Sequence, residues 1–254
     1  MSKVFSFNAK KFLAFSFFLI LFVATAFLLI RLVFSSTEKQ DSTQNPSPET
    51  SKYNEYPTVI IDAGHGGEDG GTIGINGAFE KDINLDIALK LEEMLRSAGV
   101  KTRLTRETDT LLYDRNSNYQ GHKKSQDMAA RLSIAEGYED AIFVSIHMNS
   151  FSQSKYKGLQ VYYSENSPLS SNLAQTVQSH VATTLQPTNT RKIKPSENNI
   201  YLLDKIKHPA ILIECGFLSN AEECELLSDK QYQNKLCIVL YSAIIDYFDN
   251  YVEN

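Results

Sequence analysis

Three short apolar runs, each closing on one ionisable residue, constrain this chain more than any other feature. They are Val-Ile-Ile-Asp-Ala-Gly-His (59–65), Ile-Phe-Val-Ser-Ile-His (142–147) and Ala-Ile-Leu-Ile-Glu (210–214). Runs of Val, Ile, Leu and Phe of this length read as strands buried on both faces, the kind that build parallel sheets. In such sheets the ligand crevice lies beyond the carboxyl ends of the strands. The three runs therefore deliver His65, His147 and Glu214 to a shared edge.

Between these runs the pattern alternates. Strands are expected over 58–62, 100–105, 141–146, 159–163 and 209–214. A helix over 80–98 carries Ile83, Ile87, Leu91 and Leu95 at four-residue spacing and stops at Gly99. Further helices are expected over 127–136, 170–185 and 236–252, and Asn220 with Glu223 forms a capping-box entry to a short one. This alternation predicts an α/β fold, a twisted and mostly parallel sheet with helices on both faces.

The amino-terminal part reads differently. Lys3, Lys10 and Lys11 precede an apolar run from 12 to 30 that resumes after Arg31 and ends at Phe34. About 19 apolar residues span a bilayer core as a helix, and the preceding positive charge leaves the remainder outside the cytoplasm. The expectation is a transmembrane anchor over 1–34, with a cleaved signal peptide as the alternative, since Ala24-Thr25-Ala26 resembles a cleavage site. Residues 35–56 are rich in Ser, Thr, Asn, Gln and Pro and read as a flexible linker. The catalytic domain is expected over 57–254. A net charge of −5 argues against a nucleic-acid partner. Cys215, Cys224 and Cys237 lack the paired spacing of a structural zinc site and read as small buried hydrophobes.

Two imidazoles and carboxylates converging on one edge suit Zn²⁺, which takes three protein ligands in catalytic sites and leaves a fourth position for water. His65, Glu80 and His147 are the candidate ligands, and Glu214 is left as the uncoordinated general base and acid. Position alone leaves Glu80 open, because a carboxylate opening a helix is also stabilised by the helix dipole. The loop 66–74, Gly-Gly-Glu-Asp-Gly-Gly-Thr-Ile-Gly, lacks the Gly-Lys-Ser/Thr ending of a phosphate cradle. Its Glu68 and Asp69 read as solvated loop carboxylates. Cys215 should face away from Glu214 because successive strand residues alternate, and Asn149 should share the side of His147 and contact substrate. His122, His180 and His208 read as surface or turn residues.

Four segments in this order resemble the zinc-dependent N-acetylmuramoyl-L-alanine amidases of the amidase-3 family: Ile-Asp-Ala-Gly-His-Gly-Gly (61–67), Glu80 opening a helix, Ser-Ile-His-Met-Asn (145–149) and Ile-Glu-Cys-Gly-Phe-Leu-Ser-Asn (213–220). The resemblance covers 58–248. It implies that His65, Glu80 and His147 bind one zinc ion and that Glu214 is catalytic. It also implies hydrolysis of the amide joining the lactyl group of N-acetylmuramic acid to L-alanine of the peptidoglycan stem peptide.

The stretch 109–132, the single amino-terminal apolar segment and the lack of a wall-binding repeat are similar to the germination-specific, spore-cortex members. That finer resemblance implies a part in making muramic δ-lactam and, as in some such systems, a lipoprotein partner. The competing readings are a vegetative cell-wall amidase, another extracytoplasmic zinc peptidase, a non-catalytic relative, and a tethered peptidoglycan-binding module.

Overall fold

The computed structural model describes residues 56–252 together with Thr25. The expected anchor, Thr25 apart, and residues 35–55 of the expected linker lie outside the described residues; Tyr56, expected at the end of the linker, is instead buried in the core against Phe248. Among the described residues, no helix is long and apolar enough to cross a membrane.

Strand β1 (Thr58–Ala63) leads through the glycine-rich loop to helix α1 (Glu80–Ser97), then to β2 (Thr102–Leu104), α2 (Lys123–Glu136) and β3 (Ala141–Asn149). There follow β4 (Gln160–Tyr163), α3 (Pro168–Thr184), β5 (Lys194–Pro195), α4 (Tyr201–Lys205), β6 (Ala210–Phe217), α5 (Ala221–Ser228) and α6 (Lys230–Tyr251). The six strands form one sheet in the order β2-β1-β3-β6-β4-β5.

Strands β2, β1, β3 and β6 are parallel, as the doubly apolar runs require. Strand β4 pairs antiparallel with β6, and β5 follows β4. The sheet is therefore mixed, and the expected mostly parallel arrangement holds in every pairing except that of β4 with β6. A four-residue run does not encode its direction. The short return from β3 through 150–159 brings β4 back along β6 without the crossover helix that a parallel strand needs.

Side-chain alternation divides the core. Val59, Ile61, Val144, Ile146, Ile211, Ile213 and Cys215 pack with α1, α3 and α6. Ile60, Phe143 and Leu212 point the other way, against Ala135, Met128 and Leu132 of α2 and Leu202 and Leu203 of α4. Helices thus cover both faces. The three cysteines are buried free thiols, and Cys215 lies on the face opposite Glu214, as expected.

Strands β3 and β6 run further than the apolar pattern indicated, to Asn149 and Phe217. His147 and Glu214 are therefore inside strands and pair with each other, and a register shift follows before Asn149 meets Phe217. Two residues of β3 then oppose three of β6, a bulge that falls at the functional edge. The capping box forms only by half. Asn220 accepts from the Glu223 backbone N–H at 3.1 Å. The Glu223 carboxylate instead accepts from the N–H groups of Gly158 and Phe217, both at 2.8 Å, and pins the 158 turn to the end of β6.

Candidate metal centre

The centre is assembled at the carboxyl edge of β1, β3 and β6. Beyond β1 the chain enters a turn in which His65, Gly66 and Gly67 have φ of 61°, 139° and 54°. A non-glycine residue held in the left-handed region costs about 1–3 kcal/mol and persists where its surroundings impose it. The loop then folds back. Glu80 donates its backbone N–H to the Thr72 carbonyl at 2.9 Å, and Lys81 does so to that of Gly70 at 3.2 Å. This returns the start of α1 to the strand edge that carries His65.

Glu80 sits between the two histidines. Its Oε1 lies 3.3 Å from His65 Nε2 and 3.1 Å from His147 Nδ1. Oε1 also accepts from the Met148 backbone N–H at 3.0 Å, and Oε2 from that of Thr72 at 2.8 Å. The imidazoles meet edge to face with centroids 5.0 Å apart. One donor atom from each of His65, Glu80 and His147 falls within 4.8 Å of the others. Zinc bonds of about 2.0–2.2 Å at a tetrahedral angle place neighbouring ligand atoms about 3.3–3.5 Å apart. The two separations from Glu80 Oε1 are close to that size and the two imidazole donors lie within 4.8 Å of each other, so the trio can hold a zinc ion.

The electrostatics point the same way. Burial opposes the charge of Glu80, yet the two imidazoles overrule it and hold the carboxyl well below the usual carboxylate range. Burial also resists protonation of His65, and the Glu80 and Asp69 carboxylates outweigh that and raise its basicity. Asp69 Oδ1 lies 3.0 Å from His65 Nδ1. A carboxylate beside the far nitrogen favours a proton there and leaves Nε2 as the donor atom facing Glu80, while Nδ1 itself makes no aligned hydrogen bond. Asp69 is therefore not a solvated loop carboxylate. Glu68 is instead paired with Lys123 at 2.8 Å and accepts from the Tyr113 hydroxyl at 3.1 Å.

Glu214 stands outside the trio but next to it, opposite His147 on the neighbouring strand. Burial pushes its carboxyl up to about 7; the Glu80 charge adds to the effect and the histidines oppose it. Its Oε2 is buried with no hydrogen-bond partner. A cavity of about 160 Å³, walled by Phe143, Ile200, Leu203 and Leu212, opens beside His65 and His147.

The Amidase_3 family, N-acetylmuramoyl-L-alanine amidase, matches residues 59–246. The chain belongs to that family. The CwlD amidase from Clostridioides difficile, solved in complex with the GerS lipoprotein, is 41% identical over 76% of this chain and 98% of that one, with a TM-score of 0.71. A second N-acetylmuramoyl-L-alanine amidase from Clostridium difficile 630 is 32% identical over 78% and 99%, with a TM-score of 0.66. The germination-specific N-acetylmuramoyl-L-alanine amidase of Bacillus subtilis (strain 168) is 34% identical over 75% of this chain and 79% of its own length.

Two glycines of the amidase, absent from the expected site, make the trio possible. A Cβ on Gly64 would lie 2.3 Å from the His147 ring. On Gly71, at φ 66°, it would lie 2.6 Å from Glu80 Oε2 and 2.8 Å from His65 Cδ2. Both stand in or beside the glycine-rich loop, but only the folded loop shows which ring or carboxylate each one admits. Asn149 ends β3, half-buried, with its carbonyl accepting from Leu218 N–H at 2.8 Å. Among the remaining histidines, His180 pairs with Asp246 at 3.1 Å, away from the trio.

Proposed function

We propose that this amidase hydrolyses the lactyl–L-alanine amide of peptidoglycan at one zinc ion held by His65, Glu80 and His147, with Glu214 moving the protons. The observation that carries the reading is Glu80 Oε1 set 3.3 and 3.1 Å from two imidazole nitrogens at a sheet edge. Zinc held there polarises the scissile carbonyl and brings the pKa of a water molecule towards about 7.

The chain's own residues supply the rest. Glu80, kept ionised by its neighbours, offsets part of the cation's charge. The Asp69 charge beside Nδ1 of His65 favours a proton there and leaves the Nε2 lone pair facing inward. Glu214, with Oε2 buried and unbonded, accepts a proton from the attacking water and returns it to the departing alanine nitrogen. Asn149, on the His147 side of β3, contacts the substrate.

Purified muropeptides digested with the amidase should release peptides with a free L-alanine amino group and leave the glycan intact. Chelation should stop release and zinc should restore it. Trimming at the peptide's carboxyl end would make the chain another zinc peptidase. Sedimentation with peptidoglycan and no product would make it a binding module.

The similarity to CwlD and to the germination-specific enzyme supports a role in the spore cortex, in the stem-peptide removal that precedes muramic δ-lactam formation. That CwlD was solved with the GerS lipoprotein supports a lipoprotein partner for this chain. The apolar run 12–34 supports membrane anchorage, with the catalytic domain, from Tyr56 onward, outside the cytoplasm and residues 35–55 as its tether. Deleting the gene should leave cortex without muramic δ-lactam. Normal cortex with defective separation of growing cells would place the amidase in vegetative wall turnover.

A further inference from the structure

His65 reaches Glu80 through a backbone conformation that glycine adopts freely and histidine does not. What holds the turn comes from outside it. Arg131 of α2 is fully buried, and its Nη2 donates to the His65 carbonyl at 2.7 Å. Its Nη1 donates to the Ala63 carbonyl at 2.8 Å and to Asp62 Oδ1 at 2.6 Å, while Nε donates to Asp127 Oδ2 at 2.8 Å. Arg106, also buried, donates from Nε to the Ala63 carbonyl at 2.8 Å and from Nη2 to that of Gly64 at 3.0 Å. Two planar forks therefore grip the carbonyls of three successive residues, the last being His65.

Neutralising the buried Asp62 requires only a cation. Holding Asp62, Asp127 and the carbonyls of Ala63 and His65 at once requires a guanidinium, whose five donors are fixed in one plane. The Asp62 carboxylate is itself anchored by Ser145 Oγ at 2.6 Å and Thr105 Oγ1 at 2.8 Å, so the fork is docked on a fixed point.

We propose that Arg131 is a positioning residue of the metal centre, its fork holding the left-handed His65 turn and thereby placing Nε2 against Glu80 and His147. This rests on the zinc reading of that trio. Arg106 acts in the same way on the carbonyls just upstream.

The test compares zinc affinity, by competition with a chromophoric chelator, and thermal melting of the metal-free full chain purified in detergent. Arg131→Lys keeps the charge between Asp62 and Asp127 but loses the fork. It leaves buried acceptors unpaired, so it should melt below the wild type, and the folded variant should bind zinc about 10–100-fold more weakly, the loss typical of groups that hold a metal ligand in place. If Arg131→Lys does not fold, Arg106→Lys carries the same prediction, because Arg106 grips the same turn. A folded lysine variant with wild-type zinc affinity overturns the proposal and leaves the zinc reading standing. A wild-type chain that binds no zinc overturns the zinc reading, and this proposal with it.

Discussion

Glu214 stands directly opposite His147 across the parallel β3–β6 ladder, on the sheet face that also carries Ser145 and Asp62. A carboxylate at that position is tied to a histidine of the trio by backbone pairing and not by a flexible loop. Its distance from the reacting centre is therefore set by the sheet. Glu214→Gln keeps the shape, removes the basic oxygen and leaves the trio intact. Zinc content should be unchanged while turnover falls by about 10²–10⁴-fold, the usual contribution of a general acid–base group. Metal analysis beside a muropeptide assay checks both halves.

The same carboxyl sets the pH profile. Burial pushes it up to about 7, and as base it must be deprotonated, so kcat/KM should fall as pH drops through its pKa. A divalent cation near by stabilises the charged form and acts in the opposite direction, which puts the acidic limb at or below pH 7. In Glu214→Gln the residual rate should lose this limb. A limb retained in that variant would assign the titration to another group.

Gly64→Ala tests the packing of His147. The added Cβ would stand 2.3 Å from the ring, so ring or backbone must move. Overpacking of this kind costs about 1–3 kcal/mol in stability. Zinc affinity should fall with it, because the displaced atom belongs to the trio. Denaturation by urea and a zinc titration, run on one preparation, separate the two effects.

Asp62 makes a pH-dependent contribution to folding. Burial opposes its charge, but Arg131, Ser145 and Thr105 prevail and its carboxyl is held below the ordinary value of 3.8. A depressed carboxylate stabilises the fold fully above its unfolded pKa, and that contribution fades as pH falls through the folded one. Asp62→Asn leaves Arg131 short of one buried partner and should cost about 3–5 kcal/mol at neutral pH. The variant should also show a shallower loss of stability below pH 4. Urea midpoints from pH 7 down to pH 3 give both quantities.

Much of this was legible in the residues. Doubly apolar runs identified β1, β3 and β6, and the two-residue period of a strand placed Cys215 away from Glu214. Glu80 was legible only through resemblance. Its approach to His65 depends on a loop whose course is set by positive-φ residues and by the carbonyls of Thr72 and Gly70. The segment 151–199 hid β5, which with only two residues carries no periodicity; α4, at five residues, went unread for the same reason. Arg131 stood four residues after Asp127, an ordinary surface pair on a helix. Nothing local shows that both are buried under the His65 turn.

The central claim is one zinc ion between His65, Glu80 and His147. Anomalous diffraction recorded on both sides of the zinc edge, from crystals grown with zinc, tests it most directly. The account predicts a single strong peak about 2.0–2.2 Å from His65 Nε2, a Glu80 carboxylate oxygen and His147 Nδ1, with Glu214 near by but not bonded. A peak held by other residues, or none at the trio, would contradict it.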